Sequence, residues 1–166
     1  MSSGPRGRSA PWAKALGALI GMVLLGVVAV FVSQQFTDSR RKDAAFRETE
    51  EYAQRHARRM SARSGMLLTD KRAVEAKLEE DKREGAGMAL LYAFVREEST
   101  ATEIVRFTQP YERAMRLLGP ATGTADRCFT IVYRAVGTPS VTADVTAHGS
   151  DVSCARIAEE LNGTGR

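Results

Sequence analysis

The chain has 166 residues, of which 43% are hydrophobic and 27% are charged, and its formal net charge is +4. After a short tail and one apolar segment, the remainder suffices for one small domain and an elongated helix, which excludes a two-domain enzyme. The excess of positive charge is local, since residues 38–63 carry eight basic and five acidic side chains. Because this stretch follows the apolar segment, lipid headgroups are expected as its counterions and nucleic acid is not. The abundance of arginine and alanine is typical of a GC-rich bacterial genome.

The most apolar segment runs from Ala15 to Val32, 18 residues without a charge. As a helix it spans about 27 Å, close to the roughly 30 Å of a bilayer's hydrocarbon core. We therefore predict a transmembrane signal-anchor helix at residues 12–34, after a disordered cytoplasmic tail at residues 1–11. A cleaved signal peptide and a soluble core helix are the alternatives. The segment is longer than the apolar region of a typical signal peptide, about 7 to 15 residues.

The orientation of this anchor depends on the cysteines, because basic residues flank the apolar segment on both sides. The two cysteines, Cys128 and Cys154, both lie in the C-terminal part. Two isolated cysteines suit one disulfide in an oxidising compartment, whereas two buried free thiols in a cytosolic domain are the alternative. We predict a single-pass protein of the cell membrane whose C-terminal domain is extracytoplasmic.

A pair of glycines within the anchor, Gly17 and Gly21, has the four-residue spacing that lets two transmembrane helices approach closely. Glycine is also common in membrane helices that do not pair. Dimerisation through this face is therefore one hypothesis.

Residues 37–84 contain no proline and a single glycine, Gly65, and they are rich in strong helix formers. They predict a juxtamembrane helical stalk, either one helix or two that break near this glycine. An apolar stripe recurs at seven-residue intervals, at Phe46, Ala53, Met60, Leu67 and Val74. Three residues after each of these come polar residues, among them His56 and Lys77, whereas a coiled-coil seam would be apolar there. We expect the stripe to pack on the C-terminal domain or on a partner, and a continuous coiled coil is less favoured.

Residues 86–162 are predicted to form a small α+β domain, because a glycine-rich break precedes them. Residues 88–95 fit a helix or a buried strand, and we favour the helix. A capping box formed by Thr100 and Glu103 predicts that another helix begins there. A further helical piece is expected at residues 111–118.

The last part of the domain changes its pattern. Residues 128–136 and 141–147 alternate like strands and predict a β-hairpin with one solvated face. A final helix places Cys154 and Ile157 on one face, where Cys154 can reach Cys128. A disulfide between them closes roughly 27 residues, worth about 3.5 kcal/mol in the chain-entropy model.

Chemical motifs give little further indication. His56 and His148 have no partners at metal-ligand spacing, and both are expected on the surface. The acidic side chains near the end of the stalk alternate with basic ones and are expected to form a solvated helix face. These acids are Glu79, Glu80, Asp81 and Glu84. The sequence therefore indicates no catalytic, cofactor-binding or metal-binding residue.

The predicted fold is thus an N-terminal transmembrane α-helix and a long juxtamembrane helix, followed by a small α+β domain with helices, a β-hairpin, a C-terminal helix and one disulfide. The predicted function is the presentation of this extracytoplasmic domain for non-catalytic binding or scaffolding. Its expected partners are membrane lipid and either another protein or a second copy of the chain, with no nucleic acid, small molecule or cofactor. A membrane-tethered enzyme and a sensor module are the alternatives.

Overall fold

The computed structural model describes residues 11–62, 68–83, 87–113 and 120–163. Within them the chain forms three α-helices and four β-strands. In chain order these are α1 (Pro11–Ala62), α2 (Lys71–Arg83), β1 (Met88–Arg96), β2 (Thr100–Glu112), β3 (Thr122–Arg134), β4 (Thr142–Ala147) and α3 (Cys154–Gly163). The break that the sequence predicts near Gly65 lies outside the described residues.

The four strands form one antiparallel sheet in the order β1-β2-β3-β4, so each strand pairs with its neighbour in sequence. The two central strands pair without interruption from Thr100↔Arg134 to Glu112↔Thr122. β1 is less regular, because its register shifts between Leu91 and Ala93. β1 and β4 are the edge strands.

Helices cover both faces of the sheet. α1 and α2 pack on one face, where the buried side chains of β2 include Ala101, Val105 and Phe107. α3 packs on the opposite face, against Ile104. β2 is therefore buried on both faces.

α1 is a single 52-residue helix with two different environments. The side chains of its apolar first half are exposed, and this part is long and apolar enough to cross a membrane. From Ala45 onward one side of the helix is buried against the sheet, including Ala53 and Met60. The candidate anchor and a principal core helix of the domain are thus one continuous element.

The direction of α1 relative to the strands follows from contacts along its length. Near its middle the Arg41 guanidinium donates a hydrogen bond to the carbonyl of Glu112, at the end of β2. Fifteen residues later His56 lies against Glu103, near the start of β2. α1 therefore runs antiparallel to β2, and the strands extend along the direction of the helix.

The helices predicted at residues 88–95 and from Thr100 are wrong, because these segments are β1 and β2. A strand that is buried on both faces carries apolar residues at successive positions, such as Ile104 and Val105, and hides its two-residue period. Glu103 is not a helix cap but a buried residue of β2. The predicted hairpin is present as β3 and β4, the second half of a larger sheet.

The helical piece predicted at residues 111–118 is wrong at its start, because Tyr111 and Glu112 belong to β2, while residues 114–119 lie outside the described residues. Pro110 fits this strand because β1 pairs with β2 only as far as Thr108. The proline therefore lies beyond the neighbour that would need its missing N–H.

The disulfide joins Cys128 on β3 to Cys154 at the start of α3, with 5.5 Å between the Cα atoms. Both cysteines are buried on the sheet face opposite α1. The bridge thus fixes the C-terminal helix to a central strand, as the helical face of Cys154 predicted.

Candidate functional site

A group of ionisable side chains lies in the interior where α1, α2 and the sheet meet. β2 alternates its side chains between the two faces, so Glu103 lies on the same side as Ala101 and Val105. This carboxylate is completely buried, with 0% of its surface exposed. A buried charge is costly unless it is paired, and the surrounding helices supply the partners.

His56 is the residue that connects the helices to this carboxylate. It lies on the buried side of α1, with 2% of its surface exposed. Its Nδ1 is 3.0 Å from Oδ2 of Asp81 on α2, and its Nε2 is 3.1 Å from Oε1 of Glu103. The imidazole therefore stands between two carboxylates from two different elements.

Asp81 has further partners at its second oxygen. Arg59 Nη1 donates a hydrogen bond to Asp81 Oδ1 at 2.7 Å, and Lys77 Nζ lies 3.1 Å from the same atom. Lys77 is one helical turn before Asp81 on α2, and both side chains are buried. The cluster thus contains three basic groups, His56, Arg59 and Lys77, around two acidic ones.

On the sheet, Tyr133 of β3 completes the cluster. Its hydroxyl donates a hydrogen bond of 2.5 Å to Oε1 of Glu103, and its side chain is fully buried. Oε2 of Glu103 has no hydrogen-bond partner among the described residues. Oε1 therefore carries the interactions of this carboxylate with both Tyr133 and His56.

These contacts change the proton affinities of the cluster. Burial by itself would lower the pKa of His56, but the charge of Glu103 and the hydrogen bond to Asp81 outweigh it and raise this pKa from 6.5 to about 9. Burial would raise the pKa of Asp81, yet hydrogen bonds from His56, Lys77 and Arg59 hold it well below its usual range. Burial and the adjacent Glu103 raise the pKa of Tyr133 well above 10. At neutral pH the cluster therefore contains a protonated His56 beside an ionised Asp81.

The arrangement resembles an acid–base pair in its distances but not in its accessibility. A general base must reach a proton of its substrate within about 3 Å. His56, Glu103 and Tyr133 are enclosed by α1, α2 and the sheet, and each is at most 2% exposed. The chemistry that this geometry supports is the joining of three secondary-structure elements by charge-assisted contacts.

Three of these residues were predicted wrongly, and Glu103, expected to cap a helix, is the one already described as a strand residue. His56 was expected on the surface and Asp81 on a solvated helix face, but both are buried. Of the other acids in that group, Glu79 and Glu80 are exposed, and Glu84 lies outside the described residues. A signal was present in the sequence, since His56 and Lys77 follow the apolar stripe by three residues and share its helical side. Polar residues at such positions indicate a buried polar contact as well as the absence of a coiled coil.

The residues of the stripe are distributed along the helix–sheet interface. Ala53, Met60 and Val74 are buried in the core between the helices and the sheet. Phe46 is half-buried, and Leu67 lies outside the described residues. Three of the four described residues of the stripe thus pack on the domain of their own chain.

The glycine pair of the candidate anchor lies in the apolar first half of α1. A Cβ atom added at Gly17 or Gly21 would meet no other atom within 4 Å. Dimerisation through this face stays a prediction.

Comparisons with known proteins assign no family to this architecture. No protein-family model matches the chain, and neither the search of curated proteins nor that of solved structures finds a match. The class that the structure defines is an antiparallel four-stranded sheet between helices, carried on a long apolar N-terminal helix.

Proposed function

We propose that the chain is a single-pass membrane protein that holds a small extracytoplasmic domain upright on the membrane and binds a partner there without catalysis. The observation that carries this proposal is the continuity of α1. Its exposed apolar half suits a bilayer, and the same helix continues into the core of the domain. Since the strands follow the helix direction, the sheet stands along the membrane normal when the helix crosses the membrane.

The extracytoplasmic placement is supported by the disulfide between Cys128 and Cys154, because such bonds persist in oxidising compartments. The binding role is supported by where the polar groups of the domain lie. The ionisable cluster around His56 is enclosed, whereas open grooves lie beside the edge strands β1 and β4. An enclosed cluster stabilises the fold and is not available to a ligand. A strand edge, in contrast, can accept another chain.

The placement is tested with cells that produce the full-length chain. Alkaline carbonate should leave the protein in the membrane fraction. A cysteine introduced as Ser140→Cys, in the exposed β3–β4 connection, should react with a membrane-impermeant maleimide on intact cells. The matched variant Ser3→Cys, in the tail, should react only after the membrane is opened. Extraction by carbonate, or the opposite labelling of the two variants, would refute the proposal.

A further inference from the structure

The outer edge of β4 exposes a row of backbone hydrogen-bonding groups. The His148 N–H donates to the carbonyl of Cys128 at 2.9 Å, so these residues form a hydrogen-bonded pair of the β3–β4 ladder. In an antiparallel ladder such pairs recur at every second residue. Asp144 therefore directs its backbone groups toward β3, while Ala143 and Val145 direct theirs away from the sheet.

A groove lies beside this edge, between β4 and α1. Apolar side chains form the floor of the groove: Ala57, Val141, Ala143 and Val145. Gln54 and Arg58 form a polar wall. β4 contains no proline, and its register with β3 has no bulge, so two of the devices that protect an edge strand are missing along it. The edge and the groove together have the form of a site for one more strand.

The charge on the wall of the groove indicates what the added strand would carry. Arg58 is exposed, and within the described residues it makes no ion pair or hydrogen bond. α1 runs antiparallel to β2, and β4 runs parallel to β2, so Arg58 lies toward the start of β4, near Val141. A carboxylate at this end of the added strand would meet the guanidinium.

We propose that an extended segment of a partner chain adds to β4 as a fifth strand, with apolar side chains in the groove and a carboxylate on Arg58. This inference rests on the proposed function, because it names the surface and the chemistry through which the domain binds. Backbone hydrogen bonds to Ala143 and Val145 would supply affinity, and the groove would select the side chains.

A second copy of the chain on the same membrane does not fit this edge. The anchors of two such copies point in the same direction, so their β4 strands would run parallel to each other. A twofold axis between the strands would then place equivalent residues side by side with their pleats out of phase, which does not allow a regular ladder of hydrogen bonds. An antiparallel continuation would need the two anchors to point in opposite directions. The other edge, β1, is less suitable, because its register shifts between Leu91 and Ala93.

The test uses the full-length protein in lipid nanodiscs and a capped hexapeptide of alternating valine and threonine that ends in glutamate. NMR titration should shift the backbone amides of Ala143 and Val145 more than those of the paired residue Asp144. Absence of these shifts, or shifts centred on β1, would overturn the proposal. So would shifts at Ala143 and Val145 that arise from raising the protein concentration alone, since a second copy would then occupy the edge.

Charge reversal tests the carboxylate. The peptide that ends in glutamate should bind wild type about three- to fivefold more tightly than the same peptide ending in lysine, the range expected of an exposed ion pair. Arg58→Glu should reverse this preference. Arg55→Glu makes the same change on the same helix, where the Arg55 side chain lies over the Tyr52 ring instead of lining the groove, and it should leave the preference unchanged. Equal behaviour of the two variants would overturn the role of Arg58.

The two proposals can fail separately. Carbonate extraction and reversed labelling would refute the membrane placement without affecting peptide binding to β4. Failure of the titration would refute the fifth strand while the labelling of Ser140→Cys still supports the extracytoplasmic domain.

Discussion

His56 of α1 and Glu103 of β2 face each other in the interior of the domain, with 3.1 Å between the imidazole Nε2 and the carboxylate Oε1. They come from the helix that carries the candidate anchor and from a central strand of the sheet. Because Asp81 binds the other imidazole nitrogen, one side chain joins α1, α2 and β2. We therefore expect the stability of the domain to depend on this histidine.

His56→Leu should lower the free energy of unfolding by about 3 to 5 kcal/mol, because it leaves the buried carboxylates of Asp81 and Glu103 without their shared cation. Urea unfolding of the full-length chain in detergent micelles, followed by circular dichroism, measures this change. Gln54→Leu, an exposed position on the same helix, serves as the control and should change little. If His56→Leu unfolds at the wild-type urea concentration, the contact does not stabilise the domain.

Removing the charge of Glu103 should partly relieve that loss. The double variant His56→Leu/Glu103→Gln should lose less stability than the sum of the two single variants. Each single variant leaves one member of the pair buried without its partner, whereas the double variant removes both members. The same unfolding measurement on the four proteins of the cycle gives the coupling free energy. Strict additivity would show that the two side chains act independently.

The stability should fall on the alkaline side as His56 loses its proton. Its folded pKa of about 9 lies above the ordinary 6.5, so the contribution is complete below pH 6.5 and disappears as the pH rises through 9. The slope between these values approaches about 1.4 kcal/mol per pH unit. Asp81, whose pKa is lowered, loses its contribution only in acid, below its ordinary value of 3.8. Unfolding of wild type and His56→Leu from pH 5 to pH 9.5 tests this, and the variant should lack the alkaline decline.

Tyr133→Phe should lower the free energy of unfolding by about 1.5 to 3 kcal/mol, since it deletes the hydroxyl that donates to Glu103 and keeps the ring in the core. Tyr92→Phe, on the opposite face of the sheet, is the matched substitution and should cost less. Both are measured by urea unfolding. Equal losses in the two variants would assign the effect to the hydroxyl group in general instead of to its contact with Glu103.

Loss of the disulfide should destabilise the domain by about 3.5 kcal/mol, the chain-entropy value for a separation of 26 residues. Adding a reductant to wild type should reproduce the stability of the double variant Cys128→Ser/Cys154→Ser. The double variant itself should not respond to the reductant. A response there would mean that the reductant acts on something other than this bond.

The sequence indicated those features that depend on local patterns. The apolar segment from Ala15 to Val32, the β3–β4 hairpin and the bridge from Cys128 to Cys154 follow from hydrophobic length, alternation and helical spacing. The strand β2 did not follow, because burial on both faces removes the alternation by which a strand is recognised. A buried strand and a short helix then look alike in sequence.

The buried cluster could not be predicted from the sequence for a different reason. His56, Asp81, Glu103 and Tyr133 come from four separate elements, and what they have in common appears only when the helices pack on the sheet. Each looks ordinary in its own segment: a polar residue on a charged helix, an acid in a capping pattern, or a tyrosine in a strand. The polar residues beside the stripe, such as His56 and Lys77, were interpreted only as evidence against a coiled coil.

The continuous helix α1 also determines how far the domain extends beyond the apolar segment. From Val32 to Ala62 it extends about 45 Å at 1.5 Å per residue. If the helix stands upright on the bilayer, the connections β1–β2 and β3–β4 lie at this far end, and the end of β2 at Glu112, beside Arg41, lies nearest the bilayer. A soluble ligand would meet the outermost loops first, whereas a partner in the same membrane would need an ectodomain of comparable reach to lie along β4. In the proposed placement, the length of α1 would limit which partners can reach β4, whatever their side chains.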